Sequence, residues 1–229
     1  MSWTSYISAN GVGCMTQSIL FTYAWSKLND QVFKFTKFLG IHHGTSVSKA
    51  IQFFGFDKIE PADIHSEGID YNMYGFEKDG VVDELLTDEV MDYFRSIYRG
   101  NKEKKDVIAI HIRRGDVNAQ QHADRYIELK RYIPIIAKFR EKYPQKPIYI
   151  VSEGRQKDFE ILGDNLHFKI GGCALQTLEF LIQCDVLFVA RSSFSYVAGL
   201  YSTNEVYCDF IVEPSWFSYP KKHWKRLID

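Results

Sequence analysis

The chain has 229 residues, of which 45% are hydrophobic and 25% are charged, and these are the proportions of a globular protein rather than of a disordered, collagen-like or coiled-coil chain. Its 28 basic and 29 acidic side chains give a formal net charge of -1, so bulk charge does not favour nucleic acid or an anionic membrane as a partner. The length allows one large domain or two small ones.

The cysteines and the N-terminus indicate the compartment. The four cysteines are Cys14, Cys173, Cys184 and Cys208. They lack the short spacing of zinc or redox pairs, so we expect reduced thiols in a reducing environment. The first residues do not combine a charged region with an apolar run, and no apolar stretch is long enough to span a bilayer. We therefore expect a cytoplasmic protein without a membrane span.

The first half of the chain has an irregular pattern of secondary structure. Its predicted elements are a strand at 6–9, a glycine turn at 10–13, a helix at 14–28, a strand at 32–36, mostly loops from 40 to 80, and a helix at 83–98. The segment 99–105 is polar and contains glycine, which is typical of a linker. We therefore expect two domains, residues 1–102 and residues 103–229.

The second half alternates strands and helices regularly. Strands are predicted at 107–112, 147–151, 166–170, 186–190 and 206–210, and helices at 128–143, 156–162, 174–184 and 193–201. Pro134 predicts a kink or a late start for the first of these helices. The alternation predicts βαβ units and a parallel sheet with helices on both faces. Ligands bind at the carboxyl ends of the strands in such sheets, so the loops that follow the strands are the expected site.

The clearest chemical signal is the segment 111–116, His-Ile-Arg-Arg-Gly-Asp, which follows a predicted buried strand. Two adjacent arginines at a strand end need an anion, and the guanidinium fork suits phosphate oxygens. Gly115 allows a ligand to approach the backbone closely. Asp116 is placed to orient one guanidinium while the other binds the ligand. The alternative is an arginine–aspartate network that only pins the loop to a neighbouring segment.

A second signal follows the strand at 186–190, where Ser192, Ser193 and Phe194 begin a helix. A helix N-terminus offers unpaired backbone N–H groups and the positive end of a dipole, and serine hydroxyls add donors. A serine cap without a ligand is the alternative. Both signals fall at the same edge of one sheet, and this favours a joint phosphate site.

Two further pairs of residues are weaker candidates. Gly11 and Gly13 lie between the first strand and the first helix, where they would admit a phosphate or sugar closely or simply form a tight turn. Ser152 and Glu153 follow another strand, where they would contact a base or ribose or simply cap the next segment.

The sequence predicts no metal site. His42, His43 and His65 have no partner at a metal-ligand spacing. The chain also lacks an Asp-x-Asp motif and the Gly-Lys-Ser/Thr of a phosphate-binding loop. ATP hydrolysis is therefore not indicated, and we expect a metal-free site that neutralises phosphate with arginine.

The segment 111–116 resembles the donor-binding motif of the α-1,2/α-1,6-fucosyltransferase and protein O-fucosyltransferase superfamily, nearest to α-1,2-fucosyltransferase-like glycosyltransferases. The segment 11–17, Gly-Val-Gly-Cys-Met-Thr-Gln, is similar to the family's N-terminal Gly-x-Gly-Asn-Gln segment. The segment 190–195, Ala-Arg-Ser-Ser-Phe-Ser, is similar to its Ala-Asn-Ser-Ser/Thr-Phe-Ser segment. The three occur in the family's order and span most of the chain.

The resemblance implies an α/β fold of the GT-B type, with two Rossmann-type halves. The N-terminal half would lie on the acceptor side, and the C-terminal half, a regular parallel βαβ sheet, would bind the nucleotide sugar. The implied activity is inverting, metal-independent transfer of a fucose-like 6-deoxy-hexose from a nucleoside diphosphate sugar to a glycan acceptor, with no cofactor besides the donor.

The resemblance also implies roles for the site residues. Arg113 would bind the β-phosphate and stabilise charge on the leaving diphosphate. His111 and Arg114 would support the nucleotide and the geometry of the site. Ser192, Ser193 and Phe194 would close over the diphosphate, and Gly11 and Gly13 would line the cleft from the other half.

The general base and the nucleobase stay open at this point. Asp116 is the nearest candidate base, Glu153 and Glu67 are alternatives, and a reaction that needs no strong base is the remaining alternative. Thr177 stands where the family usually has an aspartate that reads guanine, and Glu179 is nearby. GDP-fucose is the first expectation for the donor, and a UDP-sugar such as UDP-L-rhamnose is the alternative.

Two alternatives to an enzyme remain. One is a nucleotide-sugar-binding module without turnover, and the other is a structural α/β domain whose arginines only form salt bridges. The glycine segment 11–17 favours the enzyme, because a binding module does not need a second glycine loop.

Overall fold

The structure of the chain, a computed structural model, describes residues 2–5, 10–37, 40–42, 44–63, 66–69, 81–209 and 221–228. The strand predicted at 6–9 lies outside the described residues, as do His43 and His65. The chain divides into two compact units. The first is Met1–Asn101 with Glu213–Lys222, and the second is Lys102–Val212 with His223–Asp229. The first crossing from one unit to the other falls within the polar segment 99–105.

The first unit contains a small parallel sheet and four helices among its described residues. Its strands are β1 (Ser2–Ser5), β2 (Val32–Phe33) and β3 (Ser66–Ile69), and its helices are α1 (Val12–Leu28), α2 (Val47–Phe54), α3 (Val81–Leu85) and α4 (Asp88–Ile97). The strands pair in the order β2-β1-β3, and both pairings are parallel.

Helix α1 begins earlier than the sequence predicted. Gly11 is its N-cap and donates its backbone N–H to Asn10 Oδ1 at 2.8 Å. Gly13, expected in the preceding turn, is instead a buried residue of the first helical turn. Because α1 is buried on most sides, packing against its surroundings fixes where it starts, in spite of the low helix propensity of glycine.

Two other parts of the first unit differ from the prediction. Helix α2 lies in the region expected to be loops, and Ser46 caps it by accepting a hydrogen bond from Lys49 N at 3.4 Å. Gly55 ends α2 with φ of 73°. The helix predicted at 83–98 is two helices, because Thr87 starts a new one by accepting a hydrogen bond from Val90 N at 3.3 Å.

The second unit contains the regular parallel sheet that the alternation predicted. Its strands are β4 (Lys105–Ile112), β5 (Ile148–Ser152), β6 (His167–Ile170), β7 (Cys184–Phe188) and β8 (Glu205–Tyr207), and its helices are α5 (Ile133–Lys142), α6 (Ala174–Gln183) and α7 (Ser193–Tyr201). They pair in the order β6-β5-β4-β7-β8, and every pairing is parallel. The predicted α/β class is therefore confirmed.

Two predicted helices of the second unit are partly or wholly 3-10 turns. The segment 128–143 opens with a 3-10 turn at Leu129–Tyr132, and α5 follows with Pro134 in its first turn, which is the late start that proline predicted. The short helix predicted at 156–162 is a 3-10 turn over the same residues.

The core of the second unit lies under β4. Alternate residues of this strand, Ile108, Ile110 and Ile112, are fully buried against α5 and the neighbouring strands. Ala109 and His111 are buried on the opposite face. A strand covered on both faces cannot shift its register without exposing apolar side chains, so the residue that follows β4 leaves the sheet at a fixed point.

The structure also bears on two expectations drawn from the sequence, the state of the cysteines and the membrane span. All four cysteines lie among the described residues, and none forms a disulfide. Within the described ranges, no helix combines the length and the apolar character needed to cross a membrane.

Candidate functional site

The strand order of the second unit locates a crevice at the carboxyl ends of β4 and β7. From the central strand β4 the chain proceeds outward through β5 to β6, then returns to pair β7 with the other side of β4 and continues to β8. The direction of winding therefore reverses between β4 and β7, and open α/β sheets bind ligands at such a switch point. The loops that begin with Arg113 and with the segment 190–193 meet this edge.

Arg113 leaves the end of β4 at this point and contacts two carboxylates. Its Nη2 donates a hydrogen bond to Asp116 Oδ1, and its Nη1 lies 3.6 Å from Glu153 Oε2. The Arg113 side chain is 19% exposed, whereas those of Asp116 and Glu153 are 40% and 44% exposed. Asp116 therefore orients the guanidinium at the edge of the sheet, and Glu153 lies beside it without a hydrogen bond.

Gly115 makes this arrangement possible. Its φ of 84° is a conformation that favours glycine. A Cβ atom at Gly115 would lie 2.0 Å from Glu153 Oε2, so any other residue would require the Glu153 side chain to move. The motif glycine therefore brings the backbone into contact with an anionic oxygen, which in this structure belongs to the protein itself.

Arg114 has a different role from its neighbour. Its Nη1 donates to Arg113 O at 2.7 Å and its Nη2 donates to Ile127 O at 2.9 Å, while the guanidinium lies 4.4 Å above the ring of Tyr126. Burial lowers the pKa of Arg114. Asp116 was expected to orient one arginine and leave the other for the ligand. Instead it orients Arg113, and Arg114 ties the loop together through backbone carbonyls.

His111 is the buried polar residue of the site. It is 5% exposed, and its ring centroid lies 5.8 Å from that of Phe194. Burial and the nearby positive charge of Arg113 lower the pKa of His111 from 6.5 to about 3, so the imidazole is neutral at pH 7. Its Nδ1 has no hydrogen-bond partner among the described residues. An unpaired buried nitrogen costs free energy that a ligand can recover.

The N-terminus of α7 faces the same edge of the sheet. The Ser192 hydroxyl accepts a hydrogen bond from Phe194 N at 3.3 Å and so caps the helix. Ser195 Oγ accepts a hydrogen bond from Ala190 N at 3.1 Å, which fixes the turn between β7 and α7. Ser193, the first helical residue, is half-buried. The serine cap that the sequence predicted is therefore present. The positive end of the helix dipole and the Ser193 hydroxyl remain as the groups of this turn that can bind an anion.

Ser152 connects two strand ends. It is buried at the end of β5, and its hydroxyl donates to Ile112 O at 2.7 Å. Its carbonyl accepts a hydrogen bond from Gly171 N at 2.9 Å. These bonds join β4, β5 and the loop after β6 and so give Ser152 a structural role, while its contact with a base or ribose stays a prediction.

Thr177 lies on α6, and two glycines in the loop between β6 and α6 precede it in the chain. Gly171 and Gly172 have φ of 70° and 94°, and a Cβ atom at either would meet nothing within 4 Å. The backbone conformation, rather than crowding, accounts for both glycines. Thr177 itself is half-buried one turn into the helix, and its N–H is bonded to Cys173 O at 3.0 Å.

The remaining candidates belong to the first unit. A Cβ atom at Gly11 would meet nothing within 4 Å, so no close packing requires a glycine there. Gly13 lies inside α1, and Glu67 is an exposed residue of β3. In the ranges that the structure describes, no group of three or more His, Cys, Asp or Glu residues could hold a metal ion.

The contact between Arg113 and Glu153 was not predicted, although a signal for it exists. In the parallel register Ile112 pairs with Ser152, so the next residue of each strand leaves the sheet at the same level. Arg191 was also missed: its Nη1 donates to Asp124 O at 2.8 Å and links the loops after β7 and β4. Contacts with backbone carbonyls have no signal in the sequence.

No protein-family model matches the sequence, and no curated protein matches it. Two solved structures of the fucosyltransferase NodZ are similar to the chain. One, from Bradyrhizobium, has a TM-score of 0.42 and 10% identity over 87% of this chain and 92% of that one. The other, NodZ alpha-1,6-fucosyltransferase soaked with GDP-fucose, has a TM-score of 0.41 and 11% identity over the same shares. POFUT1 in complex with GDP has a TM-score of 0.33 and 12% identity over 80% of this chain and 64% of that one.

Proposed function

We propose that the chain is a fucosyltransferase-like glycosyltransferase that moves a 6-deoxy-hexose from a nucleoside diphosphate sugar to a glycan acceptor. One observation carries the proposal. Arg113 and the capped N-terminus of α7 follow two hydrogen-bonded strands, β4 and β7, at the point where the sheet reverses its winding. A guanidinium and a helix N-terminus at such a switch point form a phosphate site with two independent sources of positive potential.

In the proposed complex Arg113 binds the β-phosphate of the donor and the N-terminus of α7 binds an oxygen of the diphosphate. His111 remains a neutral group beneath them, because its pKa lies far below 7. Its unpaired Nδ1 offers a hydrogen bond to the nucleotide without adding charge. This arrangement concentrates the positive charge of the site on Arg113.

The proposed transfer is a displacement with inversion at the anomeric carbon. The acceptor hydroxyl attacks the face of the sugar opposite the diphosphate, the bond from the anomeric carbon to the phosphate oxygen breaks, and the diphosphate leaves with the electron pair. The transition state has oxocarbenium character, and Arg113 stabilises the charge that develops on the leaving group. The acceptor proton passes to a base or a water molecule on the acceptor side of the sugar. Asp116 and Glu153 contact Arg113 and therefore lie on the side of the leaving diphosphate, so neither is placed to take this proton.

A UDP-sugar such as UDP-L-rhamnose is the second candidate donor, and Thr177 is the residue that favours it. A threonine hydroxyl supplies one donor and one acceptor, whereas the N1 and N2 edge of guanine presents two donors. Uracil presents a single N–H between two carbonyls, which a hydroxyl and backbone groups can satisfy.

The test is turnover of the donor with and without an acceptor. Purified protein is incubated with GDP-fucose or UDP-L-rhamnose, and release of the nucleoside diphosphate is measured alone and with a panel of glycans. We expect slow hydrolysis alone and faster release with a suitable glycan. Binding of a nucleoside diphosphate without any turnover would identify a binding module, and absence of binding would contradict the proposed function.

A further inference from the structure

We infer that Glu153 is a built-in competitor for the anion site, because its carboxylate lies beside Arg113 and Gly115 in the position that a phosphate oxygen of the ligand takes. The inference deepens the proposed function and rests on it for the identity of the ligand, a nucleoside diphosphate. It makes Glu153 a residue that sets the affinity and the charge selectivity of the site.

The Glu153 carboxylate lies next to two parts that an anion site uses. Its Oε2 lies 3.6 Å from Arg113 Nη1 and at 2.0 Å from the place where a Cβ atom of Gly115 would be. The oxygen therefore sits between a guanidinium and a stretch of backbone that only glycine leaves open. Phosphate sites in proteins combine the same two parts, an arginine fork and a close approach to glycine backbone.

The charges of the cluster show why Glu153 must move. One guanidinium faces two carboxylates, so Arg113, Asp116 and Glu153 together carry one net negative charge. Arg114 keeps its positive charge, but its donors are bound to the carbonyls of Arg113 and Ile127, so it does not bind the ligand directly. A diphosphate that approaches Arg113 therefore meets a guanidinium whose charge two carboxylates offset, and its attraction to Arg113 increases once one carboxylate has left.

Glu153 is the carboxylate that leaves at lower cost. Asp116 accepts a direct hydrogen bond from Arg113, whereas the closest approach of Glu153 is 3.6 Å, beyond a hydrogen bond. The Glu153 side chain is 44% exposed, so water already solvates part of it. The next residue is Gly154, with φ of 107°, whose backbone has conformations that other residues lack. A partly exposed ion pair of this kind is weak.

The competition determines which ligands bind well. A ligand with a single negative charge replaces one carboxylate with an equivalent charge and gains little electrostatically. A diphosphate brings more charge to Arg113 and to the N-terminus of α7 than Glu153 supplies, and so it displaces the glutamate. The substrate class that this site selects is therefore one with a diphosphate group.

The experiment is a calorimetric titration of GDP, UDP and inorganic pyrophosphate into the wild-type protein and Glu153→Gln. The substitution removes the competing charge and keeps the size of the side chain. We expect the Kd for each diphosphate to fall about three- to tenfold. Glu153→Asp keeps the charge on a shorter side chain, and its Kd should lie between those of the wild type and Glu153→Gln. Glu160→Gln is the matched control, because it removes the same charge from an exposed position of the same unit and should leave the Kd unchanged.

Each outcome separates this inference from the proposed function. If wild-type protein binds GDP or UDP and Glu153→Gln binds it equally or more weakly, the inference is wrong and the proposed function stands. If pyrophosphate binds, and binds more tightly to Glu153→Gln than to the wild type, while no nucleoside diphosphate binds, the inference stands and the proposed function fails. If none of the three probes binds to either protein, both are wrong.

Discussion

The hydroxyl of Ser152 donates a hydrogen bond to the carbonyl of Ile112 at 2.7 Å and so ties the end of β5 to the end of β4. The two residues are also partners in the parallel register. Arg113 and Glu153, the next residues of the two strands, therefore leave the sheet side by side. The contact between the guanidinium and the carboxylate follows from strand pairing rather than from the loops alone.

Arg113 is expected to be essential for transfer. Arg113→Ala should lower kcat/KM at least about 100-fold, because it removes the charge that stabilises the leaving diphosphate. Arg113→Lys should recover little, since a single ammonium cannot hold Asp116 and a phosphate with a planar fork. Steady-state kinetics with a nucleotide sugar provide the measurement, and Arg155→Ala, on an exposed side chain of the same unit, is the control. Near-wild-type activity in either Arg113 variant would contradict the phosphate role.

Gly115→Ala is expected to lower both stability and ligand affinity. The positive φ of 84° disfavours alanine and should reduce the free energy of unfolding by about 1–3 kcal/mol, and the new Cβ atom also forces the Glu153 carboxylate to move. Gly44→Ala is the control, because Gly44 also has a positive φ, 69°, but a Cβ atom there meets nothing within 4 Å. Urea unfolding of both variants isolates the part that is due to the movement of Glu153. Equal losses of unfolding free energy in the two variants would show that the Glu153 side chain moves aside at no measurable cost.

The burial of His111 predicts a dependence of stability on pH. Its pKa is 6.5 when unperturbed and about 3 in the folded chain, so between these values the unfolded chain binds a proton that the folded chain does not. Stability from this group is therefore complete above pH 6.5 and is lost as the pH falls toward 3, by up to about 1.4 kcal/mol per pH unit. His111→Gln should have a flatter profile of unfolding free energy between about pH 4.5 and 7 than wild type. His167→Gln, at an exposed residue, should keep the wild-type slope.

Discrimination between GDP and UDP is expected to be weak or reversed. An unpaired donor of guanine costs about 1–3 kcal/mol, or roughly 5- to 150-fold in affinity. Thr177→Asp should restore a preference for GDP by at least about tenfold. Gln176→Asp, which adds the same charge at an exposed neighbouring position, should not. Calorimetry decides between the bases, and GDP bound about a hundredfold more tightly by wild type would show that another residue supplies the acceptor.

Activity is expected to survive EDTA. Arg113 supplies the positive charge that a divalent cation supplies in other phosphate sites. Transfer is measured before and after chelation, and then after addition of Mg²⁺ or Mn²⁺. Loss of activity with EDTA and recovery with the metal would refute the metal-independent mechanism.

The fold of the second unit could be predicted from the sequence because its central strands contain apolar runs and its strands alternate regularly with helices. The start at Pro134 and the serine cap of α7 are local signals, and both were visible. The first unit was harder, because its elements are short and depend on packing. Even so, Ser46 and Gly55 carried start and stop signals for α2 that the prediction overlooked.

The site could be predicted as far as the identities of its charged residues. The motif 111–116 located Arg113, and the alternation of elements placed it and Ser192 at the same sheet edge. The separate role of Arg114 could not be predicted, because its partners are the carbonyl groups of Arg113 and Ile127, and carbonyl groups are common to all residues. The neutral state of His111 likewise depends on burial, which the residue type alone does not reveal.

The anchoring of Arg114 also affects how arginine doublets are compared between sequences. Because its guanidinium is held by two carbonyl groups and lies over the ring of Tyr126, only one of the two adjacent arginines has donors available for a ligand. The second arginine contributes its charge from a distance and fixes the loop. Its partners Tyr126 and Ile127 lie at the far end of that loop, so an insertion between Arg114 and Tyr126 would change how the arginine is held.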